Sequence, residues 1–213
     1  MTQPLGKNYG GIMQAWALQQ VLKEMGHDPI TIDRQSAPRS PIYRMAQLSY
    51  RFALNACGKR NAPINFERHF DVIYANTNRF VDNNIIMSDR ISTTRGLEQH
   101  FAEKKYNAVI VGSDQTWRPR YSPNIYNFFL DFIEREKIKR IAYATSFGVS
   151  SWEFSKDETK ICSKLVKLFD AIAVREDTGV DLCKRYLGVQ AVHVLDPTLL
   201  VISVSPFSIV RPD

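Results

Sequence analysis

Apolar residues recur along this chain in two rhythms, short unbroken runs and helical spacings of three and four, and their alternation predicts an α/β fold. Ile12, Ala15, Trp16, Gln19, Leu22 and Met25 keep helical spacing between the loop Asn8-Tyr9-Gly10-Gly11 and Gly26, which predicts an amphipathic helix with a glycine C-terminal cap. A short strand is expected over 29–33. The strand that normally holds a glycine-rich loop from in front has little room, because seven residues with two breakers precede Asn8. From 36 to 94 the pattern weakens. A helix over 42–57 and a second one anchored by Phe66, Phe70, Ile73 and Phe80 predict a helical insertion. Regularity then returns: a helix over 95–105, a strand over 108–111, a short apolar strand within 139–148, a helix over 153–169, a strand over 171–174, a helix over 177–187 closed by Gly188, and a strand over 191–195. Strands rich in Val, Ile and Ala alternating with helices predict a parallel sheet covered on both faces.

Each strand ends in polar residues. The first stops at Gly112 and presents Ser113, Asp114 and Gln115, the second ends at Ser146-Phe147-Gly148, the third at Arg175-Glu176, and the fourth at Asp196-Pro197-Thr198. Ligands in open α/β sheets lie beyond the carboxyl ends of the strands, so these tips mark where a site is expected.

Composition narrows the class. A length of 213 residues with 44% hydrophobic content fits a globular domain and excludes disorder and fibres. No apolar run approaches the ~20 residues of a membrane span. The first seven residues lack the features of a secretory signal, which points to the cytoplasm. Cys57, Cys162 and Cys183 are widely spaced and odd in number, against a disulfide framework or a zinc site, and the four histidines show no ligand spacing. The net charge of +6 reads as basic residues spread among acidic ones over a charged surface, with no block suited to nucleic acid. Peripheral contact with a membrane and self-association stay open.

Taken in order, the tips resemble the polysaccharide pyruvyl transferase family. The matching residues are Asn8-Tyr9-Gly10-Gly11 with Gln14 and Ala17-Leu18-Gln19, Val111-Gly112-Ser113-Asp114-Gln115 with Trp117, Phe129-Leu130-Asp131-Phe132, Arg140-Ile141-Ala142-Tyr143-Ala144 with Ser146-Phe147-Gly148, Arg175-Glu176, and Val194-Leu195-Asp196-Pro197-Thr198. The resemblance implies a transferase that moves the enolpyruvyl group of phosphoenolpyruvate onto a sugar hydroxyl. A pyruvate ketal forms, in exopolysaccharide or cell-wall glycan synthesis. It implies no cofactor and no metal, phosphoenolpyruvate as donor substrate and a saccharide or lipid-linked glycan as acceptor. The implied fold is a Rossmann-like lobe over 1–200, similar to the N-terminal lobe of a two-lobed GT-B-like transferase. On this reading 201–213 is an atypical tail, and the second lobe, with the main cationic contacts to the donor, is missing.

Ketal formation needs a proton for the methylene carbon, a base for the attacking hydroxyl and cationic partners for carboxylate and phosphate. The resemblance puts Asp114 forward as the group that grips or deprotonates a sugar hydroxyl, with Ser113 and Gln115 as hydrogen-bond partners. Alternatively Ser113 or Asp114 caps the following turn. Gly10 and Gly11, with Asn8 and Tyr9, would let backbone amides approach an anion at the helix start, or serve only a tight turn. Ser146 joins the substrate-binding set. Arg175 would face an anionic ligand or pair with a neighbouring carboxylate, and Asp196 reads as a cap at the end of its strand. Trp16 and Trp117 read as core aromatics, with sugar stacking left open for Trp117. Two other classes compete: a non-catalytic remnant retaining a glycan-binding face, and a glycosyltransferase-like enzyme using a nucleotide sugar.

Overall fold

A computed structural model describes residues 1–6, 8–134 and 138–201. In chain order the regular elements are α1 (Tyr9–Glu24), α2 (Pro41–Ala56), α3 (Phe70–Ile73), α4 (Ala75–Asn84), α5 (Thr94–Glu103), β1 (Ala108–Val111), β2 (Lys139–Thr145), α6 (Lys156–Leu165), β3 (Ala171–Val174), α7 (Asp177–Leu182) and β4 (Val192–His193). The four strands form one parallel sheet in the order β1-β2-β3-β4, flanked by helices. This is the expected α/β, Rossmann-like architecture.

Burial differs between the two faces of the sheet. Val109 and Val111 of β1, Arg140, Ala142 and Ala144 of β2, and Val174 of β3 are buried, whereas Ile110, Ile141, Tyr143 and Ala173 are half-exposed. The expected cover on both faces is therefore complete on one of them. A sheet whose strands follow chain order explains the asymmetry, since right-handed crossovers that all step the same way lay their connections on the same side.

That side holds the main core. Trp117 is fully buried, stacks on Phe129 with centroids 4.8 Å apart and donates its indole N–H to the Phe128 carbonyl at 3.0 Å. Its role is packing, as expected for a core aromatic. Phe128, Phe129, Leu130 and Phe132 are buried with it, and Asn127 fixes their loop by accepting from Arg34 Nε at 2.8 Å and donating to Asp131 Oδ1 at 2.8 Å and Thr94 Oγ1 at 3.1 Å. Burial pushes the Arg34 pKa down and the Asp131 pKa up, the cost of keeping this network out of water. Cys162 and Cys183 are buried thiols pushed up to about 12 by desolvation.

Several elements depart from their expected extents. The strand over 29–33 is reduced to isolated bridges pairing Thr31 with Met87 and Arg34 with Ile91. Side chains take over the ladder there: Ser88 Oγ accepts from the Asp33 amide, and buried Gln19 of α1 bonds Thr31 Oγ1 and both the carbonyl and the amide of Ile86. The second helix of the insertion is divided into a 3-10 turn over 66–69, α3 and α4, with Tyr74 at φ −100°, ψ 12° between the last two. The helix over 153–169 starts at Lys156, behind a capping box of Ser155 and Glu158. The last strand shrinks to Val192–His193, although the Val194 amide still reaches the Val174 carbonyl at 3.0 Å. In front of Asn8, Met1 to Gln3 are buried, and Met1 donates to the Ile110 carbonyl and accepts from the Gly112 amide. Backbone thus occupies the outer edge of β1, although the sequence pattern leaves little room there for a strand.

Two glycines with positive φ set up a stability contrast. Gly112 has φ +148°, and an added Cβ would lie 1.8 Å from the Tyr143 carbonyl oxygen, whereas Gly188 has φ +68° with nothing within 4 Å. Gly112→Ala is expected to cost more than ~3 kcal/mol, combining strain with a backbone collision, and Gly188→Ala about 1 kcal/mol from strain alone. Urea unfolding midpoints check this; equal losses would contradict it. Gln19→Leu removes three hydrogen bonds from buried or half-buried partners and should cost about 1–3 kcal/mol in the same assay.

Candidate functional site

The four strand tips meet the first turns of α1 at one edge of the sheet. Asp114 follows β1 directly and is 8% exposed. Its Oδ1 accepts from the Gln115 amide at 2.7 Å, a local cap, while Oδ2 accepts from Asn8 Nδ2 at 3.1 Å. The Asp114 carbonyl accepts from the Ser146 amide at 3.2 Å, which ties the tip of β1 to that of β2. The expected cap is present in this residue through one carboxylate oxygen, and the other faces α1.

Gly11 explains how α1 comes so close. A Cβ there would stand 2.6 Å from Asp114 Oδ2 and 3.2 Å from Asn8 Nδ2, and no positive φ is involved. The glycine serves close approach of a helix to a carboxylate, not a turn. Asn8 is the N-cap of α1, yet its side chain makes no cap bond because it is spent on Asp114. An α-helix leaves its first-turn amides without intrahelical partners, so the α1 amides beside Asn8 open at the same edge. Tyr9 is exposed there, and Gly10 is exposed beside it.

The tips of β3 and β4 add charge. Arg175 Nη1 donates to the Ser113 carbonyl and to Asp196 Oδ2, both at 3.2 Å, and its Nη2 lies 4.0 Å from Glu176. Asp196 also accepts from Gln14 of α1 through Oδ2, and through Oδ1 from the Thr198 amide at 3.0 Å. It is both the expected cap and a bridge between α1 and Arg175. Ser146 is fully buried, donates to Glu176 and accepts from the Gly148 amide at 2.9 Å. Tyr143 donates to the Leu195 carbonyl at 3.3 Å, and its hydroxyl pKa is pushed up first by burial and then by the charge of Asp196. His193 bonds the Arg175 carbonyl at 2.9 Å.

Asn8, Gly11, Ser113, Asp114, Ser146 and Arg175 are thus brought together. Gln115 sits at the margin, packed against Gly148 and accepting from Arg118 at 3.2 Å. Three residues absent from the expected binding set belong to the cluster: Gln14, Glu176 and Asp196. Gln14 lies three residues beyond Gly11, one turn along the same helix face, a signal present in the periodicity. Two polar atoms of the cluster, Ser113 Oγ and Glu176 Oε2, are buried with no hydrogen-bond partner among the described residues. Glu176 and Asp196 face the Arg175 guanidinium, and Asp114 adds a third carboxylate to the cluster. Cavities of about 340 and 550 Å³ open elsewhere, beside α5 and behind α2, and neither is lined by a strand tip. Among the described residues no cluster of His, Cys, Asp and Glu is arranged to hold a metal, and no helix is long and apolar enough to cross a membrane.

No curated protein and no solved structure matches the chain. A family model described as polysaccharide pyruvyl transferase matches residues 8–212. The match begins at Asn8, the residue bonded to Asp114, and passes through every strand tip. It also runs on through the segment from 201, so the expectation that the resemblance covers an N-terminal portion and stops near Leu200 finds no support; beyond Val201 that tail lies outside the described residues. With the match covering nearly the whole chain, the protein belongs to the polysaccharide pyruvyl transferase family.

Proposed function

We propose that this chain transfers the enolpyruvyl group of phosphoenolpyruvate to a saccharide in glycan synthesis on the cytoplasmic side of the membrane, and that its strand-tip edge handles the acceptor sugar. The observation that carries this is the charge of the cluster among the described residues: Asp114, Glu176 and Asp196 with Arg175. Carboxylates accept from hydroxyls and repel anions, so a polyhydroxyl ligand suits this edge better than a donor bearing a phosphate and a carboxylate.

In the reaction a proton adds to the methylene carbon of phosphoenolpyruvate and the adjacent carbon becomes electrophilic. One sugar oxygen bonds to that carbon and gives up its proton, phosphate departs with the C–O bonding pair, and a second sugar hydroxyl closes the ketal with loss of its own proton. Asp114 accepts the proton of the attacking hydroxyl through Oδ2, with Asn8 holding that oxygen in place. Ser113 and Ser146 supply hydrogen bonds, and Gln115 borders the sugar. At the margin of this edge the first-turn amides at Tyr9, Gly10 and Gly11, together with the Arg175 guanidinium, are the groups that would meet the donor's charge. The remaining cationic contacts come from residues beyond this edge, in keeping with a two-lobed arrangement.

Incubation with phosphoenolpyruvate and cell-envelope glycans is expected to release phosphate only when glycan is present, and the glycan should gain the mass of a pyruvate ketal. Phosphate release that is absent with all acceptors, together with tight binding of nucleoside diphosphates, would assign the edge to nucleotide-sugar chemistry instead. Asp114→Asn preserves shape and removes the base, and a flipped Asn8 amide can accept from the new Nδ2, so kcat should fall about 10²- to 10⁴-fold with the unfolding midpoint little changed. Arg175→Lys keeps the charge but gives up the planar guanidinium, whose Nη2 lies toward Glu176 while Nη1 serves Ser113 and Asp196; the KM for phosphoenolpyruvate should rise about tenfold with a smaller effect on kcat. A stability loss with unaltered kinetics would reduce Arg175 to an ion-pair role.

A further inference from the structure

Helix α2 is turned the wrong way round for a surface helix. Its start is specified locally, with Ser40 Oγ accepting from the Tyr43 amide at 3.2 Å and Pro41 in the first turn. At 16 residues it is about 24 Å long. An ordinary surface helix buries its apolar stripe and exposes its polar one. Here the side turned to the chain carries Arg51 and Asn55 beside half-buried Leu48 and Leu54: Arg51 pairs with Glu67 at 2.7 Å and donates to the Ile64 carbonyl, and Asn55 donates to the Ala62 carbonyl at 2.8 Å. No residue of α2 is buried. At ~100° per residue, Ile42, Met45, Ala46, Tyr50, Phe52 and Ala53 share one half of the helix, and all are exposed, Ile42 by 80% and Met45 by 69%.

The charge around this face identifies what covers it. Six of the chain's 28 lysines and arginines and none of its 22 aspartates and glutamates lie in the stretch from Arg34 through Phe66, which leaves 22 of each in the rest of the chain. The whole excess of +6 is therefore gathered in the segment that carries α2, and the expectation of an evenly spread charge is corrected. Arg39 precedes the helix and stacks over Tyr43 at 4.9 Å, and Lys59 follows its end, so cations flank the apolar face at both ends. A nucleic acid would satisfy the charge and leave the apolar side chains in water. A second copy would satisfy the apolar face and bring like charges together. A bilayer with anionic headgroups satisfies both.

We propose that α2 is an interfacial helix that lies on an anionic phospholipid surface, with Ile42, Met45 and Phe52 inserted among the acyl chains and Arg39 and Lys59 at the headgroups. The inference does not rest on the identity of the substrate. Flotation of the full chain with vesicles tests it. The protein is expected to float with vesicles containing phosphatidylglycerol and at least about tenfold less with pure phosphatidylcholine. The double variant Met45→Glu/Phe52→Glu should lose flotation by a similar factor, whereas Leu168→Glu, an exposed apolar residue elsewhere, should not. Thermal unfolding confirms that the variants fold. Absent flotation with phosphatidylglycerol, or flotation indifferent to Met45→Glu/Phe52→Glu, overturns the proposal. So does a vesicle-free dimer in sedimentation velocity that the double variant dissociates, since a second copy would then cover the face.

Discussion

The approach of α1 to the Asp114 carboxylate is the constraint on which the site depends. Gly11 permits it, Asn8 holds it, and the strand end that delivers Asp114 is fixed by its own constraint at Gly112, whose backbone lies against the Tyr143 carbonyl. That carbonyl belongs to an irregular stretch of β2, where Ala144 takes φ +50° and the register with β3 shifts between Ala142 and Thr145. A bulge just before a strand tip re-aims the next residues of the chain. Here the next is Ser146, bonding backward to Asp114 and forward to Glu176. Two glycines and one bulge thus bring three strand ends and a helix start within hydrogen-bond reach of one another.

Most of this was legible in the sequence because it comes from periodicity and from strand ends. The runs 108–111 and 171–174 are strands at those bounds, and the polar residues after each run do converge. The parts that escaped depended on side chains replacing backbone. The pattern over 29–33 is a strand pattern, but Gln19 and Ser88 occupy ladder positions and leave only two bridges. Gln19 itself was placed by spacing among core positions; it is buried, as that spacing requires, and satisfies both its amide groups there. The start of α6 was readable in principle, since Ser155 and Glu158 have capping-box spacing. Glu176 and Asp196 were seen as strand ends and not as site members, because their membership comes from Arg175 reaching across the sheet, a contact no local pattern encodes.

The cluster is also a place where stability is given up. Ser113 Oγ and Glu176 Oε2 are buried without partners among the described residues, and each such atom costs about 1–3 kcal/mol. Elsewhere the fold uses side chains freely to avoid this, as Asn127 does by serving Arg34, Thr94 and Asp131 at once. Thr2 Oγ1, Gln3 Oε1 and Thr116 Oγ1 are likewise buried without partners among the described residues, but at converging strand ends such groups are what a ligand-binding edge requires: hydrogen-bonding capacity held in position before the ligand arrives.

Charge separates the two surfaces that this chain offers. At the strand tips the described residues bring three carboxylates together with one guanidinium, whereas the segment that carries α2 holds six cations and no acid at all. The formal +6 is accordingly not a property of the surface as a whole, and attraction to anionic partners at large cannot be inferred from it. An anion drawn to the protein by long-range attraction meets α2 first, and screening at physiological salt confines that attraction to about 8 Å. On the proposed function, the strand-tip edge would recognise its sugar through short-range hydrogen bonds made after arrival. If α2 also lies on a bilayer as proposed, delivery and recognition fall to different elements of the chain.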